Sequence, residues 1–248
     1  MNPPPTEMPL APTPTPGPAR GARRAARTRA AILDAAEAAF RVDGYRGTRM
    51  EDVAAAADVA VGSIYNHFGD KDGLYHALAE RSADLFGRYL DAAYAIGGTP
   101  LEQVMACGDA YLRFHLEHPG AFRFLAFDGV EAASSGAVAD PELAARLTAK
   151  LAVTLDGFRA KIQEAMDTGE VRADLDAHRL SRFLWGAWNG VVALGLRDDE
   201  LALTDADIEA TILTGRRLVV EGLVAPAARD GGGDARARLV SIVSPDQT

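Results

Sequence analysis

Residues 28–72, TRAAILDAAEAAFRVDGYRGTRMEDVAAAADVAVGSIYNHFGDKD, leave a chain few ways to fold: three short apolar stripes at helical spacing, separated by tight turns. Ile32, Ala36 and Phe40 recur every fourth residue, with Leu33 and Ala39 widening the stripe, so a first helix has one apolar face. Gly44 is placed to end it, because helix C-termini favour a residue that tolerates a left-handed backbone. Thr48 with Glu51 three residues on predicts a capping box opening a second helix. Met50, Val53, Ala54 and Ala57 form the i, i+3, i+4, i+7 face of that helix. A turn at Asp58 and a buried Val59 then precede a third helix, about Val61 to His67, held from inside by Ile64 and Phe68. Its outward residues are Val61, Gly62, Ser63, Asn66 and His67. A short helix with its apolar side packed and a small, polar side exposed suits a major groove.

Charge placement bears on that reading. The 248-residue chain has a net charge of −9, yet residues 1–50 carry eight arginines and four acids, about +4, which leaves about −13 on the remainder. DNA affinity follows local phosphate neutralisation, so the whole-chain sum does not decide it. Hydrophobic content of 48% and charged content of 25% fit a globular protein, and alanine and leucine favour an all-α fold over sheet. The single cysteine, Cys107, excludes an internal disulfide and fits a reducing compartment. The N-terminus lacks an apolar signal core, and the longest apolar run, residues 184–196, is too short to span a bilayer. The expectation is a cytoplasmic protein with no membrane partner.

Along the chain, residues 1–27 read as a disordered Pro-rich and Arg-rich arm, residues 28–75 as the helix-turn-helix domain, residues 76–224 as a larger helical domain and residues 225–248 as a disordered tail. Arg20, Arg23, Arg24, Arg27 and Arg29 admit two readings: a solvated run, or an arm that follows phosphates or enters the adjacent minor groove. Helices are expected over about 71–96, from Thr99-Pro100 to about His118, briefly over 121–127, from Asp140-Pro141 to near Gly169, and over about 176–196 and 204–223. Residues 133–136 read as a loop.

The run Thr48-x4-Val53-Ala54-x2-Ala57-x-Val59-x2-Gly62-Ser63-Ile64-Tyr65-x2-Phe68-x2-Lys71-x2-Leu74 resembles the N-terminal signature of the TetR family of bacterial transcriptional regulators, with about 45 residues at matched spacing. Asp58 stands where the family turn mostly has glycine. Ala60 stands where a serine or threonine cap is usual, a loss of about 0.5–2 kcal/mol for the third helix. The resemblance implies a homodimer that reads a near-palindromic double-stranded DNA operator with two heads and binds a small molecule in its body. It also implies that the last two long helices pack on their symmetry mates, with Gly186, Ala187 and Gly190 allowing close approach and Val191, Val192, Leu194, Ile208, Ile212, Leu213, Leu218 and Val219 supplying apolar surface.

In the head, Thr48, by its hydroxyl or its helix N-terminus, and Tyr65, by its phenol, are candidate phosphate contacts. Lys71 matches the family position that touches the DNA backbone. Ser63 and Asn66 are candidate base readers, Gly62 would allow close approach, and Val61 could meet a thymine methyl. His67 is a phosphate contact or a solvated side chain. In the body, Cys107, Tyr111, Phe114, Phe122, Phe158, Trp185, Trp188 and Asn189, with Phe124, are either ordinary core or the lining of an effector pocket. As a pocket they imply an apolar or aromatic effector held by few polar contacts.

His115 and His118, three apart, with Cys107 two turns earlier, make an incomplete zinc pattern. Histidines at a helix end are the simpler reading, and neither a metal nor a cofactor is expected. No Gly-rich phosphate loop and no nucleophile–His constellation can be assembled, so no catalytic residues are assigned and an enzyme is not expected. The reading reached is an all-α protein with an N-terminal three-helix DNA-binding domain and a larger C-terminal ligand-binding and dimerisation domain: a transcriptional regulator, as a repressor released by its effector. The alternative is a helical ligand-binding protein whose head has degenerated.

Overall fold

A computed structural model describes residues 20–128, 141–197 and 199–247, and among them the chain forms nine α-helices and no strand. The head is built from α1 (Arg20–Gly47), α2 (Met50–Ala56) and α3 (Val61–Phe68), closed by the first turns of α4 (Lys71–Tyr94). The stripe Ile32, Leu33, Ala36 and Phe40 meets Met50, Val53, Ala54, Ile64, Leu74, Tyr75 and Leu78 in one buried cluster. Gly44, at φ 66°, bends α1 near its end, and Asp58 takes the turn in the left-handed region at φ 53°, as the short polar side chain of aspartate permits. Ala60 is the N-cap of α3 and gives it no side-chain bond. Val59 is only half-buried, packed against the head cluster.

Two local expectations for the head need correction. Thr48 and Glu51 do not form a capping box: Arg49 is the N-cap of α2, without a side-chain bond. The Thr48 hydroxyl donates back to the Gly44 carbonyl at 2.8 Å, because the bend at Gly44 brings that oxygen within its reach. The arginine run is not a disordered arm from residue 20 onward. Residues 20–31 extend α1, since alanine and arginine are both strong helix formers, and Arg23, Arg24 and Arg27 are exposed along it. The Arg29 guanidinium lies 5.2 Å from the centre of the Phe68 ring at the end of α3. Residues 1–19 and the expected loop at 133–136 lie outside the described residues.

In the body, α5 (Pro100–Glu117) is the central helix, packed by α4, α6 (Pro119–Arg123), α7 (Pro141–Asp167) and α9 (Asp205–Leu223), while α8 (Ala177–Leu194) packs on α7 and α9. Thr99 and Glu102 cap α5 reciprocally, Thr204 and Asp207 do so for α9, and Asp176 caps α8. A π-helical turn, Phe124–Asp128, follows α6.

The tail after residue 225, expected to be disordered, is a strap laid along α5. The Arg238 and Ile242 amides donate to Glu102 (3.1 Å) and Asp109 (2.9 Å), and the Ser244 hydroxyl donates to Glu117 (2.5 Å). Buried Arg216 on α9 pairs with Asp109 at 3.1 Å and donates to the Val240 carbonyl at 2.9 Å. Ile242 and Ser244 are buried beneath these bonds. The glycines at 231–233 form a turn, and the acceptors that hold the strap lie 127 to 136 residues away in sequence, so no local pattern announces it.

Candidate functional site

Two places bring the sequence-predicted residues together, an exposed face of α3 and a cavity in the body. On α3, Ile64 is fully buried, and this turns Gly62, Tyr65 and Asn66 outward with Ser63 and His67 half-exposed beside them. Tyr65 keeps 47% of its surface in solvent. A Cβ at Gly62 would meet nothing within 4 Å, so the smallness of this residue serves nothing inside the fold. Val61 is half-buried and packs against the head cluster.

Thr48 and Lys71 are placed differently. Thr48 is 3% exposed with its hydroxyl on Gly44. The Lys71 ammonium donates to the Thr48 carbonyl at 2.6 Å and sits 4.7 Å from the centre of the Tyr45 ring. Burial pulls this ammonium below the ordinary lysine value of 10.5, because the charged form gives up water there. Tyr45, which sequence reasoning missed, stacks on Phe40, stands edge-on to Tyr75 and donates its hydroxyl to Asp72. Arg46 and Arg49 were also missed: both are exposed beside Thr48, and their basic character flanking a predicted helix start was the available signal.

The cavity, about 350 Å³, lies between α4, α5, α6, the π turn, α7 and α8. All eight residues singled out from the sequence, Cys107, Tyr111, Phe114, Phe122, Phe158, Trp185, Trp188 and Asn189, line it. Helical periodicity could not supply the rest of the wall, which includes Phe86 and Leu90 from α4, Leu125 and Ala126 from the π turn, and Thr148, Leu151, Thr154 and Leu155 from α7. Tyr111 stands edge-on to Phe122 at 5.0 Å and 5.7 Å from Trp188, which in turn lies 5.9 Å from Phe158. The Tyr111 hydroxyl donates to Asn189 Oδ1, and burial holds its phenol protonated well above the usual value. Burial likewise pushes the Cys107 thiol up to about 12, and the thiol donates to the Gln103 carbonyl.

Phe124, grouped with these aromatics in the sequence reading, belongs elsewhere. It is buried in the head cluster, 4.5 Å from Tyr75 and 6.4 Å from Phe40. The π turn therefore puts Phe124 into the head while its next two residues form cavity wall.

The histidines of α5 diverge as well. His118 bonds Asp246 of the strap at 2.6 Å, and Glu117 beside it accepts from Tyr89 at 2.6 Å. Glu117, His118 and Asp246 are near enough to share a cation, but Glu117 already accepts from Tyr89 and Ser244, and His118 and Asp246 bond each other. His115 is buried against Phe122, with Asp205 at 3.8 Å, and does not join Cys107.

Residues 32–78 match the family described as bacterial regulatory proteins, tetR family, and residues 104–214 match the tetracyclin repressor-like C-terminal domain. The chain belongs to the TetR family. Relatives of this TetR-family protein include the HTH-type transcriptional repressor AcnR of Corynebacterium efficiens, 28% identical over 67% of this chain and 80% of that protein. The HTH-type transcriptional regulator UidR of Escherichia coli is 24% identical over 79% of this chain and 93% of its own length. Among solved structures, one that describes control of antibiotic production by bacterial hormones has a TM-score of 0.64 at 25% identity, covering 80% of this chain and 98% of that one. The regulator PfmR of Thermus thermophilus, at 19% identity and a TM-score of 0.62 over 76% of this chain and 96% of its own, shares the fold. Members of the TetR family are transcriptional regulators that bind DNA operators and dimerise. No helix among the described residues of this TetR-family chain is long and apolar enough to cross a membrane.

Proposed function

We propose that this protein is a repressor, acting in the cytoplasm, whose operator affinity falls when a small apolar or aromatic effector occupies the cavity. Residues 28–75 read DNA, and residues 76–224 hold the effector and the dimer contact. Similarity to relatives named as repressors supports repression. In the duplex complex Gly62, Ser63 and Asn66 meet base edges, Tyr65 and His67 meet phosphates, and Val61 touches the groove floor with what its packing leaves exposed. Thr48 contributes only through its backbone, its hydroxyl being engaged within the head. Lys71 both clips the start of α2 and presents charge to the backbone. Two heads on one near-palindromic site sit about 34–36 Å apart.

For the dimer, Leu194, Leu213 and Leu218 are exposed on α8 and α9, and Gly186, Ala187 and Gly190 are exposed on α8. Val192, Ile208 and Ile212 are spent on the protomer's own core. The observation that carries effector control is the π turn. An occupant pressing on Leu125 and Ala126 displaces the segment that holds Phe124 in the head. DNA is then released because the occupant favours a second arrangement of the heads.

The reading is tested by selecting duplexes from a random pool and measuring binding to the winner across a salt series. A near-palindrome with steep salt dependence is expected. Asn66→Ala should cost about 1–3 kcal/mol and relax one position of the site. Lys71 is left intact in this test because its removal would also unclip α2. No enriched sequence and no salt-dependent binding would move the protein to the ligand-binding reading with an inactive head.

A further inference from the structure

The cavity wall has a chemical bias that narrows the occupant. Among the described residues that line it, none carries a formal charge. Its polar side chains are unequally satisfied. The Thr154 hydroxyl and the Cys107 thiol donate to helix carbonyls of their own elements, Lys150 and Gln103, and Thr148 is partnered as well. Asn189 Oδ1 is taken by the Tyr111 hydroxyl, whereas the Asn189 amide nitrogen donates to no described residue. The indole N–H groups of Trp185 and Trp188, on the same helix, also donate to none. An indole nitrogen only donates, and an amide whose oxygen is engaged has only its N–H groups to offer. The Asn189 amide is thus an unspent donor in a lining that is otherwise mostly aromatic and aliphatic, while Trp185 is partly exposed to solvent.

We infer that the effector is an uncharged, largely hydrocarbon molecule bearing a hydrogen-bond acceptor of the carbonyl type, a ketone, ester or lactone, received by the Asn189 amide. This deepens the effector reading of the cavity and rests on it. An ionised carboxylate would be stripped of water here with no cation in the wall to replace it. A quaternary ammonium would find aromatic faces, but it would meet N–H donors and no acidic partner. A pure hydrocarbon would fit the walls and leave the Asn189 donors without an acceptor.

Trp185 and Trp188 are the only tryptophans of the chain and both line the cavity, so intrinsic fluorescence reports on the site directly. Four shape-matched probes would be titrated into the full-length dimer: 4-butylacetophenone, 1-butyl-4-ethylbenzene, 4-butylbenzoate and (4-butylphenyl)trimethylammonium. The ketone is expected to bind about tenfold more tightly than the hydrocarbon, a ratio worth about 1.4 kcal/mol, and both charged probes should bind more weakly than either. Asn189→Leu should abolish the ketone's advantage while leaving the hydrocarbon's affinity within about twofold. Asn189→Asp, which adds an acid at the same point, should raise binding of the ammonium probe and lower that of the ketone. Equal or tighter binding of the carboxylate or the ammonium by the unaltered protein would overturn the inference, as would an undiminished ketone preference in folded Asn189→Leu. Absence of a saturable change with every probe would remove the cavity as a binding site and the inference with it. Operator binding is followed in parallel: ketone binding that leaves DNA affinity unchanged would overturn effector control while upholding the ligand class.

Discussion

The two long faces of α5 serve opposite electrostatic regimes. One face presents Cys107, Tyr111 and Phe114 to an uncharged cavity whose hydrogen-bond donors are not all used. The other presents Glu102, Asp109 and Glu117, each receiving hydrogen bonds from the strap, and Asp109 also takes Arg113 at 2.9 Å and Arg216 at 3.1 Å. The difference shows how one helix can be rigid and receptive together. Glu102, Asp109 and Arg216 are buried charges, which hold only when paired and hydrogen-bonded, so rearrangement around them is costly. The cavity side loses little by changing its contents. Gly108 is the point where the two regimes touch: a Cβ there would lie 3.0 Å from the Trp188 ring and 3.2 Å from Arg216 Cδ.

The comparison can be broken most sharply at Asp109. Asp109→Ala strips buried Arg216 of its partner and releases the strap at Ile242, so unfolding free energy should fall by about 3–5 kcal/mol in a urea titration. A loss under about 1 kcal/mol would mean that the strap side is as forgiving as the cavity. Gly108→Ala comes next. Overpacking costs about 1–3 kcal/mol, since Arg216 is pinned by Asp109 and Val240 and Trp188 by its aromatic neighbours. About 1 kcal/mol returns through the better helix propensity of alanine, for a net loss of up to about 2 kcal/mol with altered tryptophan emission. Unchanged emission would separate the two faces.

On the cavity side, Tyr111→Phe removes one neutral hydrogen bond and should cost only about 0.5–1.5 kcal/mol, with the same fold by circular dichroism. A loss as large as that of Asp109→Ala would erase the contrast. The smallest effect is a slope. Burial holds the folded-state pKa of His115 below the ordinary imidazole value of 6.5, opposed by nearby Asp205. The unfolded chain therefore binds the proton more readily, and stability should decline as pH falls from about 6.5 toward the depressed value. His115→Gln should flatten stability over that window while leaving the profile above it unchanged; an identical slope in the variant would assign the pH dependence elsewhere.

Much of the head was legible because its determinants are local. The core stripe of α1, the left-handed turn at Asp58 and the outward set Gly62, Tyr65 and Asn66 each follow from residues a few positions apart. The Thr48 hydroxyl was misread for an equally physical reason: Gly44 and Glu51 offer it competing partners, and only the bend at Gly44 decides between them. In the body, the aromatic residues could be listed from the sequence, but composition could not choose between core and cavity wall for them, nor separate Phe124, whose place depends on the pitch of a π turn.

The amino-acid sequence by itself determined the helical class, the head with its exposed recognition face and the family resemblance, since each rests on spacing within one or two helices. Only the tertiary structure decided which aromatics enclose a void, that Phe124 plugs the head, and that the last residues strap α5. Those outcomes depend on which distant acceptors come into reach: Glu102, Asp109 and Glu117 bind the strap because they share one face of a buried helix, and no nearby residue encodes that meeting.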